Sequence, residues 1–224
     1  MSKLKLIPSR LVLSVLSLTL LAPLPAMAAE FYLANDQTGD QHWNRTGPND
    51  RFWREGQGAG AFANRMEPDA TYHTDGRILR TRDILEGIDT FAGGTLLLDG
   101  GALQVKAGLG GVVKLDRLVA SDGSVEASSG LPGGQPQSLQ IDRLEQSGTL
   151  VFRAKAKRGF KLKIGTLSGD GVIRFEGEHD SSTFQVDVGD ASGFTGSFVT
   201  DGGVLYVITA DGARPIPVLG HTDL

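Results

Sequence analysis

Six cations fall within eleven residues, at Arg153, Lys155, Lys157, Arg158, Lys161 and Lys163. On one face of a sheet such a strip would hold an acidic polysaccharide through charge-assisted hydrogen bonds. Arg153, Lys155 and Lys157 are therefore candidate ligand-binding residues. The chain 23 positions further on argues for another use, because Glu176, Glu178 and Asp180 stand there against Arg153, Lys155 and Lys157. Opposite charges on neighbouring strands form surface ladders of about 0.2–1 kcal/mol per pair. That reading carries more weight, and it predicts Arg153 and Glu176 within one strand spacing of each other.

A second group is aromatic. Trp43, Phe52 and Trp53 lie among Arg45, Arg51 and Arg54, a combination of ring faces and polar groups that suits sugar stacking. Trp43 and Trp53 are candidate ligand-binding residues on that ground, with burial as a plug at one end of the fold as the heavier alternative. Asp36, Asp40, Asn49 and Asp50 offer oxygen ligands for calcium. Their spacing matches neither the twelve-residue calcium loop nor the nonapeptide repeat, and solvated turns account for them better. His42, His73, His179 and His221 are scattered without metal-ligand spacing. His179-Asp180-Ser181 makes no triad, since those roles need convergence from separated positions. Leu115-Asp116-Arg117-Leu118 and Ile141-Asp142-Arg143-Leu144 put two carboxylates and two guanidiniums in matching places, which a ladder explains before a catalytic centre does. No catalytic, metal or cofactor residues are assigned.

The element that must position these groups is a repeat. Ile141, Leu144, Gly148, Leu150 and Phe152 are each followed 23 residues later by Ile164, Leu167, Gly171, Ile173 and Phe175. A fixed period of this size marks units that bury their apolar faces only by stacking. Within each unit the residues alternate, Leu150 and Phe152 inward against Val151 and Arg153 outward. Ser-Asp-Gly at 121–123, Ser-Gly at 147–148 and Gly-Asp-Gly at 169–171 serve either as hairpin turns or as solenoid corners. Hairpins would give an antiparallel β-sandwich, the alternative fold. Constancy of phase through both strands and turns favours an all-β, single-stranded parallel β-helix of about five coils, in which Leu144 lies over Leu167 and Phe152 over Phe175. The phase loosens to 26 residues between Leu115 and Ile141, the surplus falling in the loop Ser128 to Gln137.

Composition narrows the rest. Lys3, Lys5 and Arg10 precede the apolar run Leu11 to Leu24 and the small-residue site Ala26-Met27-Ala28, the pattern of a secretory signal at 1–28. The remaining 196 residues carry 19 basic and 26 acidic side chains, net −7, which argues against general nucleic-acid binding. After signal cleavage no transmembrane segment is expected. The chain has no cysteine, so thiol chemistry and disulfides are excluded and stability must come from packing. The expected organisation is an aromatic-rich N-terminal cap at 29–90, β-helix repeats at 91–207 and a tail at 208–224.

Phe194-Thr195-Gly196-Ser197-Phe198-Val199-Thr200-Asp201-Gly202-Gly203-Val204-Leu205-Tyr206-Val207 resembles the passenger-associated repeat of bacterial autotransporters. Leu167-Ser168-Gly169-Asp170-Gly171-Val172-Ile173 resembles the element that precedes it. Phe91-Ala92-Gly93-Gly94-Thr95-Leu96 and Gly100-Gly101-Ala102-Leu103 are similar to repeats of large secreted, pectin-lyase-like β-helical proteins. The resemblance covers roughly 90–207 and implies the same fold. The chain holds one good copy of the full repeat and no segment for an outer-membrane barrel, so it does not imply self-export. The expectation is an exported structural or adhesive module, periplasmic or at the cell surface, whose partners are glycans, another β-helical chain or a second copy joined edge to edge. The alternative is a carbohydrate-active lyase or hydrolase of the same fold.

Overall fold

The computed structural model describes residues 28–39, 41–46, 49–58, 60–127, 136–155, 159–210 and 218–220. Residues 1–27 of the signal region at 1–28, Asp40, Lys157, Arg158 and most of the tail lie outside them. The described chain is a parallel β-solenoid of about five turns. Its strands are β1 (Glu30–Leu33), β2 (Trp53–Glu55), β3 (Thr71–His73), β4 (Ile78–Arg80), β5 (Ile84–Thr90), β6 (Thr95–Val105), β7 (Ala107–Ala127), β8 (Gln137–Ala154), β9 (Phe160–Gly169), β10 (Val172–Gly177), β11 (Thr183–Phe194), β12 (Ser197–Asp201), β13 (Val204–Thr209) and β14 (Val218–Gly220). Among these strands only β1 and β2 pair antiparallel; the other pairings are parallel, which sets aside the sandwich.

The coils turn corners with local shifts in register, as between Ala120 and Asp122. The long strand β8 lies under both β9 and β10, its first half against Phe160–Gly169 and its second against Val172–Gly177. The corner between them is tight, since a Cβ on Gly148 would sit 1.6 Å from the Ser121 carbonyl oxygen of the coil below. Inside, like residues stack. Leu96 meets Leu118, Leu118 meets Leu144, and Leu144 meets Leu167, all fully buried. Leu79, Leu103, Val125, Phe152 and Phe175 form a second column. The Phe152 and Phe175 rings stack at 5.5 Å and 15°, a geometry that adds about 0.5–1.5 kcal/mol beyond area burial.

The solenoid begins earlier than expected. β3, β4 and β5 already run parallel to β6 and β7, with Tyr72 against Leu96, Leu79 against Leu103 and Ile88 against Val112. The cap is correspondingly shorter. It consists of β1, its antiparallel partner β2, the bridge from Arg54 to Phe62, and the loops between them. Trp43 and Trp53 are 0% and 1% exposed. Trp43 Nε1 donates to Asp89 at 3.0 Å, and Trp53 Nε1 donates to the Trp43 carbonyl at 2.8 Å. Trp53 meets Tyr72 edge-on, and Tyr72 meets Phe91 in the same way. The aromatic cluster closes the first coil.

The opposite end is built differently. β13 pairs with β11, β14 pairs with β12, and among the described residues no strand lies beyond either. Also among the described residues, no helix is long and apolar enough to cross a membrane.

Candidate functional site

The basic strip is a compensated ladder at the two of its candidate residues that are described. Glu126, Arg153, Glu176 and Asp201 occupy one outward row on successive strands. Arg153 Nε donates to Glu176 at 3.0 Å, and its Nη1 donates to Glu126 at 2.9 Å. Lys155 Nζ reaches the other Glu126 oxygen at 2.6 Å. The expected Arg153–Glu176 contact is present; the role of Glu126 beneath both cations was not anticipated. Burial pushes the Glu126 carboxyl up, but the hydrogen bonds and charges of Lys155 and Arg153 outweigh it and hold the group below its ordinary value. A polyanion would have to displace these carboxylates. Lys157 lies outside the described residues.

The Asp-Arg repeat is also a ladder. Arg117 and Arg143 stand in register, Lys114 bridges Asp142 at 2.9 Å, and Arg117 grips Glu145 through two bonds of 2.9 and 2.8 Å. Asp36 accepts from the Ile78 amide and Asp50 pairs with Arg45. Among the described residues no three His, Asp or Glu side chains converge on a metal position. The buried rings of Trp43 and Trp53 offer no face to a ligand, so the stacking platform drawn on them is replaced by their role as a plug.

A different aromatic pair reaches the surface. Alternation along β1 sends Phe31 and Leu33 inward and Tyr32 outward, and along β3 sends Tyr72 inward and His73 outward. Tyr32 and His73 are in register on adjacent strands, and their rings stack at 4.3 Å and 12°. Arg54 lies opposite Tyr32 on β2. The next turn brings in two more groups: Asp75 and Gly76 both have positive φ, 51° and 73°, the signature of a type I′ turn. Asp99 fixes that turn by accepting from Thr74 Oγ1 at 2.8 Å and the Asp75 amide at 2.6 Å, and it lies 3.3 Å from His73 Nδ1.

The result is a cleft of about 150 Å³ whose walls include Tyr32, Asn35, Arg54, Asp75 and Arg77. Arg54 is held from two sides, over the Phe62 ring at 4.6 Å and by a bond from Nη1 to the Gly58 carbonyl. The Nε groups of Arg54 and Arg77 are buried and have no hydrogen-bond partner. Asp75 supplies an acceptor on the same wall, where it takes a long contact from Gln57. Burial first, and the bond to Glu30 second, push the Tyr32 hydroxyl up, so it stays protonated. The cleft thus gathers two guanidinium side chains, one carboxylate acceptor and a stacked aromatic edge. Tyr32 and His73 are 41 residues apart, outside any single repeat, and the one available signal was the inward-outward alternation of the two short strands.

These features define an all-β parallel β-solenoid with a capped N-terminal end. No family model matches the chain, and neither the curated proteins nor the solved structures with which it was compared provide a match.

Proposed function

We propose that this chain is an exported structural and adhesive β-solenoid module that holds an oxygen-rich surface group, a glycan, in the cleft between Tyr32, Arg54, Asp75 and Arg77. The observation that carries the reading is the meeting of two guanidinium side chains, one carboxylate and the Tyr32 ring on the walls of that cleft. Guanidinium groups beside a carboxylate supply charge-assisted donors and an acceptor, which suits a ligand bearing hydroxyls. Sugar hydroxyls would accept from Arg54 and Arg77 and donate to Asp75, against the edge of the Tyr32–His73 stack. Its size fits one six-membered ring, since a cavity of about 150 Å³ takes up benzene. The rigid body behind the cleft is a scaffold of stacked columns.

Glycan-array binding by the purified protein tests this, with reducing-end release followed on every hit. Binding without release is the expected result, and Arg77→Gln should weaken it about tenfold, the loss of roughly one hydrogen bond to a charged donor. The thermal midpoint should hold, because Arg77 makes no ion pair among the described residues that the change would break. Cleavage of a bound glycan would replace the adhesive reading with the carbohydrate-active enzyme of the alternative. Undiminished binding by Arg77→Gln would remove the cleft from the proposal.

A further inference from the structure

We infer that two copies of this chain join through their β13 strands in a two-fold, antiparallel pair centred on Tyr206. The backbone sets up the edge. The Val204 amide donates to Ser182 at 2.8 Å and the Ala210 amide to Val188 at 3.1 Å, so the even-numbered residues of β13 bond to β11. Alternation then turns the amides and carbonyls of Leu205 and Val207 the other way, toward a side where no strand lies among the described residues. Such a row of unpaired groups is a template for a further strand. Natural edges are blunted with charge or proline, yet none of the residues from Gly202 to Ala210 is either.

Both faces of this strand are apolar. Leu205 and Val207 point inward and are only half-buried, because no coil covers them among the described residues. Val204, Tyr206 and Ile208 point outward and are 43%, 57% and 53% exposed. The occupant must bring an open edge of the same kind. The N-terminal end of another copy matches less well, since β2 covers β1 and is bridged to Phe62, while β5, which pairs only with β7, carries the edge charges Glu86 and Asp89. That disfavours head-to-tail stacking and favours the uncharged β13 of a second copy, an isologous contact that closes on itself.

Register follows from the pleat. Directly opposed residues share a face, so inward must meet inward. Centring on Tyr206 sets Leu205 against Val207 of the second copy on the core side. It sets Val204 against Ile208, and Tyr206 against its own twin, on the outer side. Every opposed pair is then apolar, whereas centring on Val207 would put Leu205 against Thr209. The Leu205 and Val207 backbones exchange the hydrogen bonds, and Tyr206 falls at the closer, non-bonded position.

The absence of cysteine makes the register directly readable. In Tyr206→Cys the two sulfurs sit at a pair whose Cβ atoms are roughly 4.5 Å apart, within disulfide reach. In Val204→Cys the twins are offset by four residues, on the order of 13 Å. Mild oxidation of the purified proteins should cross-link Tyr206→Cys into a dimer and leave Val204→Cys single. Analytical ultracentrifugation should give twice the chain mass for the unmodified protein and the single mass for Ile208→Lys, with circular dichroism confirming that the variant is folded. A monomer throughout the micromolar range, an open-ended series of larger species, or cross-linking of Val204→Cys in preference to Tyr206→Cys would each overturn the inference. It rests on β13 alone and is independent of the cleft at the other end.

Discussion

Replacing Trp43 by alanine should cost more than almost any other single change in the cap. The side chain is fully buried and its ring lies 5.3 Å from that of Phe91. Deleting a buried aromatic costs about 3–5 kcal/mol through lost burial and the cavity left behind. The indole also donates to Asp89, which is 7% exposed, and an acceptor left without its partner at that depth adds about 1–3 kcal/mol. Water entering the new cavity would serve Asp89 in part, so the two costs overlap and the expected total is about 4–6 kcal/mol. Trp43→Phe keeps most of the volume and loses the donor, at an expected cost of about 1–3 kcal/mol. Urea unfolding followed by the fluorescence of Trp53, the remaining tryptophan, reads both variants. With a slope of about 2 kcal/mol per molar urea, the alanine midpoint should fall by about 2–3 M. Equal losses for the two variants would put the effect on the hydrogen bond instead of the packing. An unmoved midpoint for both would refute the plug.

The carboxylate ladders predict an acid-labile fold. The hydrogen bond and charge of Arg117 hold Glu145 low, the bonds from Gln140 and Lys114 hold Asp142 low, and Glu126 is low against its burial. A carboxyl whose folded value is depressed contributes stability above its unfolded value, about 4 for these groups, and loses it as pH falls through the folded value. Thermal midpoints should therefore be flat above about pH 5 and drop below about pH 4. Glu126→Gln should reduce the size of that drop, and an identical profile for the variant would count against the ladder. Gly148→Ala should destabilise by more than about 2 kcal/mol in the same assay, since its Cβ would meet the Ser121 carbonyl oxygen at 1.6 Å. Gly110→Ala, whose Cβ would have 3.9 Å to its nearest neighbour, should stay within about 0.5 kcal/mol. Equal effects at the two glycines would mean that the coil spacing is wrong.

What the sequence made legible followed from its constant phase. Between 137 and 177 each coil repeats at 23 residues, so Leu144 over Leu167, Phe152 over Phe175 and Arg153 beside Glu176 were all readable by counting. Where the spacing drifts, counting fails. Glu126 and Arg153 are 27 residues apart, off the 23-residue phase, so the lower partner of Arg153 and Lys155 was hidden. The early coils repeat at 24 residues, from Tyr72 to Leu96 and Leu79 to Leu103. Their inward aromatics look like cap residues, and the boundary was placed too late. The cleft was the least legible feature because it is assembled from β1, β2 and the turn after β3. Only the antiparallel return of β2, which no repeat announces, brings Arg54 beside Tyr32.

The two ends of the molecule pose the same physical problem. In a solenoid each coil touches only its neighbours, so a terminal coil lacks half of its packing and one side of its backbone pairing. With no cysteine available, neither end has a covalent staple. At the N-terminal end the chain supplies its own antiparallel strand, β2, and fills the space beneath it with Trp43, Trp53 and Tyr72. At the other end Leu205 and Val207 stay half-covered, and fraying should start there. An antiparallel β13 from a second copy would provide what β2 provides at the first end: edge bonds to the exposed backbone and apolar cover for the inward side chains. The geometry would then close both ends with an antiparallel strand, one from within the chain and one from its twin. The two clefts would face outward at the far ends of the pair, placed to engage a surface at two points.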